Sequence, residues 1–129
     1  MAAAFSLGLT LSSGAILLLS ATTAGAASIP AQTELSAEVT LLAAQGTVGR
    51  SNPIYDSYRP TFVFAGSKAE VMCAIKLPGG RDKVEPGETA GVTIRCIEPI
   101  TVNPEKPTFK FKEGGRLVGD GELRLAGPH

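Results

Sequence analysis

Phe109–Leu125 reads FKFKEGGRLVGDGELRL, and the reading of its four glycines decides between a nucleotide-cradling loop and a tight turn. Phe109 and Phe111 alternate with Lys110 and Lys112, while Leu123 and Leu125 share one phase after the glycines. Alternation at period two marks a strand with one buried face. A phosphate loop needs G-x-x-x-x-G-K-[ST] between a strand and a helix, so that backbone N–H groups and a lysine converge on the phosphates. No Lys-Ser/Thr pair follows Gly114, Gly115, Gly119 or Gly121, and their spacing is not G-x-G-x-x-G. Gly114-Gly115 is therefore expected to form a turn at positive φ. Gly119 and Gly121 then fall in the returning strand, where glycine marks a bulge or a close approach of backbone.

The same period recurs upstream. In EVMCAIKL, Val71, Cys73, Ile75 and Leu77 lie on one face, and Val92, Ile94 and Cys96 alternate with Thr93 and Arg95. PTFVFAG (residues 60–66) is rich in β-formers, and LSAEVTLLA (35–43) is β-rich at its centre. Gly79-Gly80, Pro86-Gly87, Asn103-Pro104 and Gly114-Gly115 supply turns between these runs. No segment has a convincing helical period. Short strands at this spacing predict an all-β barrel or sandwich, and closure would remove exposed edges.

The chain has 129 residues, room for one domain, and 12 basic residues balance 12 acidic ones. No global field then argues for nucleic acid or an acidic partner. Tryptophan is absent, so aliphatic residues and the phenylalanines must fill the core. The first charged residue is Glu34. Residues 1–26 are read as a secretory signal or a leader, with an apolar run at Ala15–Leu19 and an A-x-A site at Ala24-Gly25-Ala26. The stretch MAAAFS lacks the usual basic residue, which leaves a leader without an export role and a retained anchor as alternatives. A spanning helix needs about 20 apolar residues, and Ser12, Ser13, Gly14 and Ser20 dilute this stretch, so no stable membrane span is expected after cleavage. Residues 27–36 are read as a linker and 37–126 as the folded unit.

Cys73 and Cys96 both fall on the apolar phase of their strands. A disulfide in an oxidising compartment and two buried thiols both fit that placement. Their spacing matches no metal pattern, and no cofactor or metal set is expected. The single histidine, His129, is the last residue, so no Ser-His-Asp or Cys-His set can be assembled without a chain end. No catalytic residues and no enzymatic activity are expected.

Surface chemistry concentrates in GRSNPIYDSYRP (residues 49–60), where Arg50 and Arg59 interleave with Tyr55 and Tyr58. Arginine beside stacking aromatics holds RNA or a peptide. Equally, the tyrosines would pin a loop to the barrel while Arg59 pairs with a carboxylate. Lys110, Lys112, Arg116 and Arg124 fall on the last hairpin, but the interspersed Glu113, Asp120 and Glu122 favour a solvated face.

From about Glu38 to Leu125 the chain resembles the C-terminal (third) domain of the elongation factor Tu family. SYRPTFVF (57–64), IKLPGG (75–80), EPGE (85–88), VTIRCIEPI (92–100) and FKFKEGGRLVGDG (109–121) carry the likeness in order and near-constant spacing. The resemblance implies a closed antiparallel six-stranded β-barrel, which in the full factor holds the T-stem of tRNA and packs against the GTPase domain and the exchange factor. Carried over by position, Arg50, Lys112, Glu113, Gly114, Gly115 and Arg116 would form the RNA-side neighbourhood. Ser51 stands where the family usually has histidine, and Thr61 where glutamine follows Y-R-P. These departures remove side chains that the family uses near RNA. The chain contains no P-loop and no N-K-x-D sequence, so no GTP binding by this chain alone is expected.

Two functions stand at this point. One is a free-standing, exported binding or structural module, secreted or periplasmic, whose partner is an unknown protein or RNA. The other is a cytoplasmic, translation-associated domain, or a fragment of the factor, that contacts tRNA.

Overall fold

The computed structural model describes residues 26–125. Six strands close into an antiparallel barrel: β2 (Glu34–Leu41), β4 (Thr61–Phe64), β5 (Val71–Lys76), β7 (Thr89–Cys96), β9 (Thr108–Glu113) and β10 (Arg116–Leu123). Around the barrel they run β10-β2-β7-β5-β4-β9. Two small ribbons flank it, β1 (Ala27–Ile29) on β8 (Ile100–Val102), and β3 (Ile54–Tyr55) on β6 (Lys83–Val84). No helix among the described residues is long and apolar enough to cross a membrane.

Each barrel strand buries the apolar phase read from the sequence. Val39 and Leu41, Cys73 and Ile75, Val92, Ile94 and Cys96, and Phe109 and Phe111 all point inward, and no polar side chain among the described residues is buried. With no tryptophan available, the largest core element is a cluster of four rings. The register pairs Phe62 with Phe111 and Phe64 with Phe109 across β4 and β9. Ring centroids within the cluster lie 4.9 to 6.4 Å apart, the range in which aromatic pairs add to simple area burial.

The last hairpin sets how closely β10 can approach those rings. Glu113 pairs with Arg116 across a two-residue turn whose glycines have φ of 60° and 85°, the geometry that matches strand twist in a tight hairpin. The register then shifts between Leu117 and Gly119. Such a bulge turns consecutive residues to one side, and Val118 and Gly119 are both buried. A Cβ at Gly119 would lie 2.1 Å from Cζ of Phe111, and one at Gly121 would lie 2.2 Å from the Glu38 carbonyl oxygen. The strand glycines therefore make room for the ring cluster, and they cradle no phosphate.

One boundary is corrected. Residues 27–36, expected as a linker, carry β1 and the first residues of β2: Ile29 pairs with Ile100, and Glu34 with Arg95. Three residues are too few for an alternation to show in sequence, and Ala27 and Ile29 are partly buried only because β8 receives them. The leader expected over residues 1–26 lies outside the described residues except for Ala26, which is exposed.

Candidate functional site

The long connection between β2 and β4 folds back against the tip of the last hairpin. Its first part is a small loop closed by the Gln45–Val48 backbone pair, and its exit is tied down by Arg50 N–H donating to the Leu42 carbonyl at 2.9 Å. The Gly49 N–H donates to the Leu117 carbonyl at 2.8 Å, which brings this loop onto β10. The family resemblance implies one neighbourhood for Arg50 and Glu113, and the two side chains are in contact.

The Arg50 guanidinium donates to Glu113 Oε1, to the Asn52 carbonyl at 3.1 Å and to the Pro53 carbonyl at 3.2 Å. Its Cζ sits 5.2 Å from the centroid of the Tyr58 ring, within cation–π range. The Tyr58 hydroxyl donates to the same Glu113 oxygen. From β10, Arg116 donates to the carbonyls of Gly49 at 2.7 Å, Val48 at 2.8 Å and Gly46 at 3.2 Å. Residues far apart in the chain thus clamp the loop to the hairpin. Between them runs a surface cleft of about 350 Å³, lined by Gly49, Arg50, Ser51, Asn52, Glu113, Arg116 and Val118.

The remaining candidates divide. Gly114 and Gly115 are exposed at the tip, and added Cβ atoms there would meet nothing within 4 Å. Lys112 stands next to them but points its ammonium at Glu70, 3.4 Å away. Arg59 lines a different cleft, with Met72 and Ile97, and no carboxylate among the described residues lies within ion-pair distance of it. The two tyrosines also separate: Tyr58 is half-buried against the core, whereas Tyr55 is 57% exposed. The role of Tyr58 as hydroxyl donor to Glu113 was not read from sequence; the only signal was its place between two arginines.

The hydrogen bond from Tyr58 is the main cause that holds the Glu113 carboxyl below the usual carboxylate range; burial opposes it, and the charge and hydrogen bond of Arg50 add to the lowering. Burial and the adjoining carboxylate raise the Tyr58 hydroxyl, so it stays protonated and donating. The sign for stability follows. The unfolded chain binds a proton at Glu113 more readily than the folded one, so this contribution is complete above the ordinary glutamate range. It fades as pH falls through the lowered folded-state value. Tyr58→Phe is expected to return the Glu113 titration towards its ordinary value and to cost about 1 kcal/mol or less. Carboxyl NMR titration beside urea melts checks both, and an unmoved Glu113 would remove the hydroxyl from this account.

Chemically, the site is a rigidified end of a barrel with a carboxylate, two guanidinium groups and an exposed glycine tip. A comparison with known families matches residues 28–125 to the model described as the elongation factor Tu C-terminal domain.

Proposed function

The chain belongs to the elongation factor Tu C-terminal domain family, and from that premise we propose that it is a non-catalytic binding module working in an oxidising compartment outside the cytoplasm. The observation that carries this reading is the bond between Cys73 and Cys96, which face each other across β5 and β7 inside the barrel. Disulfides persist in exported proteins and are rare where glutathione and thioredoxin keep thiols reduced. The family-derived RNA side supports it less directly. Arg50, Arg116 and Glu113 spend their hydrogen-bonding groups on each other and on backbone carbonyls. Fractionation with thiol alkylation tests the proposal: the expected chain lies outside the cytoplasm, lacks Met1 and takes no alkyl label. A cytoplasmic chain with Met1 intact and two labelled cysteines would overturn it.

A second reading rests on the gathering of Arg50 and Arg116 at the barrel end that carries the exposed glycine tip. It makes the module a tRNA-contacting one. Affinity for tRNA should then fall steeply with salt as phosphate contacts are screened. Glu113→Ala should weaken it while the barrel stays folded. No binding at low salt would remove this reading.

A further inference from the structure

The outer face of β5 and β7 carries a second cleft, of about 460 Å³, that shares no lining residue with the cleft beside the hairpin tip. Met72 is 42% exposed and Ile97 53% exposed; with Tyr55 they are the large apolar side chains that the described chain leaves in solvent. Backbone geometry puts Met72 and Ile97 side by side, because the Ile97 N–H donates to the Met72 carbonyl at 3.1 Å. Directly beneath, Cys73 and Cys96 lock the two strands from inside. The platform is therefore fixed before any partner arrives.

Its charges are almost all spent. Arg95 donates to Glu34 at 3.0 Å, and Lys76 donates to Asp56 at 3.2 Å. Arg59 stands exposed in the same cleft and is the exception. Arg50, Arg81, Arg95, Arg116 and Arg124 each donate to a carboxylate or carbonyl. No such acceptor among the described residues takes a hydrogen bond from Arg59. One guanidinium without an acceptor thus lies next to two solvent-exposed apolar side chains.

We propose that this face docks a partner protein through a segment that carries a carboxylate beside an apolar side chain. The carboxylate meets Arg59, whose planar fork suits two parallel hydrogen bonds. The apolar side chain covers Met72 and Ile97. Arginine and methionine are enriched at the centres of such interfaces. RNA fits the same surface poorly: no lining residue offers an aromatic face for a base, and Lys76 and Arg95, already paired with carboxylates, leave Arg59 alone to meet a row of phosphates. This inference does not rest on the reading of the hairpin tip or of the compartment.

Met1 and Met72 are the only methionines, so ¹³C-methyl methionine labelling places one reporter in the cleft. The probes are three peptides of equal length, alternating Glu/Leu, Glu/Ser and Lys/Leu, and a single-stranded oligouridylate. The Glu/Leu peptide should shift the Met72 methyl signal saturably. Arg59→Ala and Ile97→Ser should each weaken that binding roughly tenfold with the amide spectrum otherwise intact, and Lys106→Ala, an exposed cation outside the cleft, should leave it unchanged. Three results would overturn the proposal: equal binding of all peptides, Glu/Leu binding indifferent to Arg59→Ala, or a Met72 response to the oligouridylate alone.

Discussion

Gly119→Val is expected to lower the melting temperature by roughly 12–24 °C, corresponding to about 3 kcal/mol in a domain of this size. The cause is the close approach of β10 to the ring cluster. An added Cβ would lie 2.1 Å from Phe111 Cζ and 2.5 and 2.6 Å from its Cε atoms. That ring cannot swing away as a surface side chain would. Phe111 is fully buried, with Phe62 at 5.5 Å and Phe109 at 6.4 Å between centroids. Relief must come from β10 moving outward, and β10 is registered to β2 on one side and β9 on the other. Added volume in a packed core typically costs about 1–3 kcal/mol, and valine brings two methyl groups beyond the clashing Cβ. Thermal melts by circular dichroism give the shift. Adding Phe111→Ala to Gly119→Val supplies the second measurement: the pair should cost less than the sum of the single variants, because the ring that clashes is gone. Strict additivity, or a Gly119→Val chain that melts like the parent, would sink the close-packing explanation.

That prediction also shows what the sequence could and could not disclose. The phase of FKFK and ELRL places the phenylalanines and Leu123 inside, and glycines on the same phase point to close approach. Which ring meets which glycine depends on the β9–β10 register, and the bulge after Leu117 resets it. Alternation carries no information on such a shift, because a bulge adds a residue without changing the residue types. The candidate site was legible in part. Arg50, Glu113, Gly114, Gly115 and Arg116 do meet at one barrel end, as the resemblance implies. Arg59 does not join them, since it follows Tyr58 and neighbouring side chains in an extended chain point to opposite faces. The clamp itself was hidden: Arg50 and Tyr58 are 63 and 55 residues from Glu113, and a periodic pattern reports faces without naming long-range partners. Strand β1 was missed for a simpler reason, its length of three residues.

Reduction of the Cys73–Cys96 bond is expected to remove about 3 kcal/mol of stability, the chain-entropy value for a loop of this length. The cysteines are 23 residues apart in sequence. The loss should fall unevenly on the barrel. On its β4 side, β5 pairs Thr61 with Met72 and Phe62 with Val71, and the chain entering β4 adds the Tyr58–Ile75 bridge and a bond from the Cys73 N–H to the Pro60 carbonyl. On its β7 side it holds four pairs, and Cys73 with Cys96 is one of them. Without the bond, β5 depends on backbone pairing to its two neighbours and on the burial of Val71 and Ile75, and its covalent tie to β7 is gone. Amide hydrogen exchange should therefore accelerate first in β5 and at the Ile97 N–H that bonds Met72, ahead of β2 and β10. Melts with and without a dithiol reductant should differ by roughly 12–24 °C. A Cys73→Ala/Cys96→Ala chain should behave like the reduced parent, less a further loss for the packing volume removed. If the reduced chain has two titratable thiols yet melts and exchanges unchanged, the bond contributes nothing to the fold. An oxidising compartment would then have no energetic part in keeping this barrel folded, and the proposal that the module works outside the cytoplasm would lose its main support.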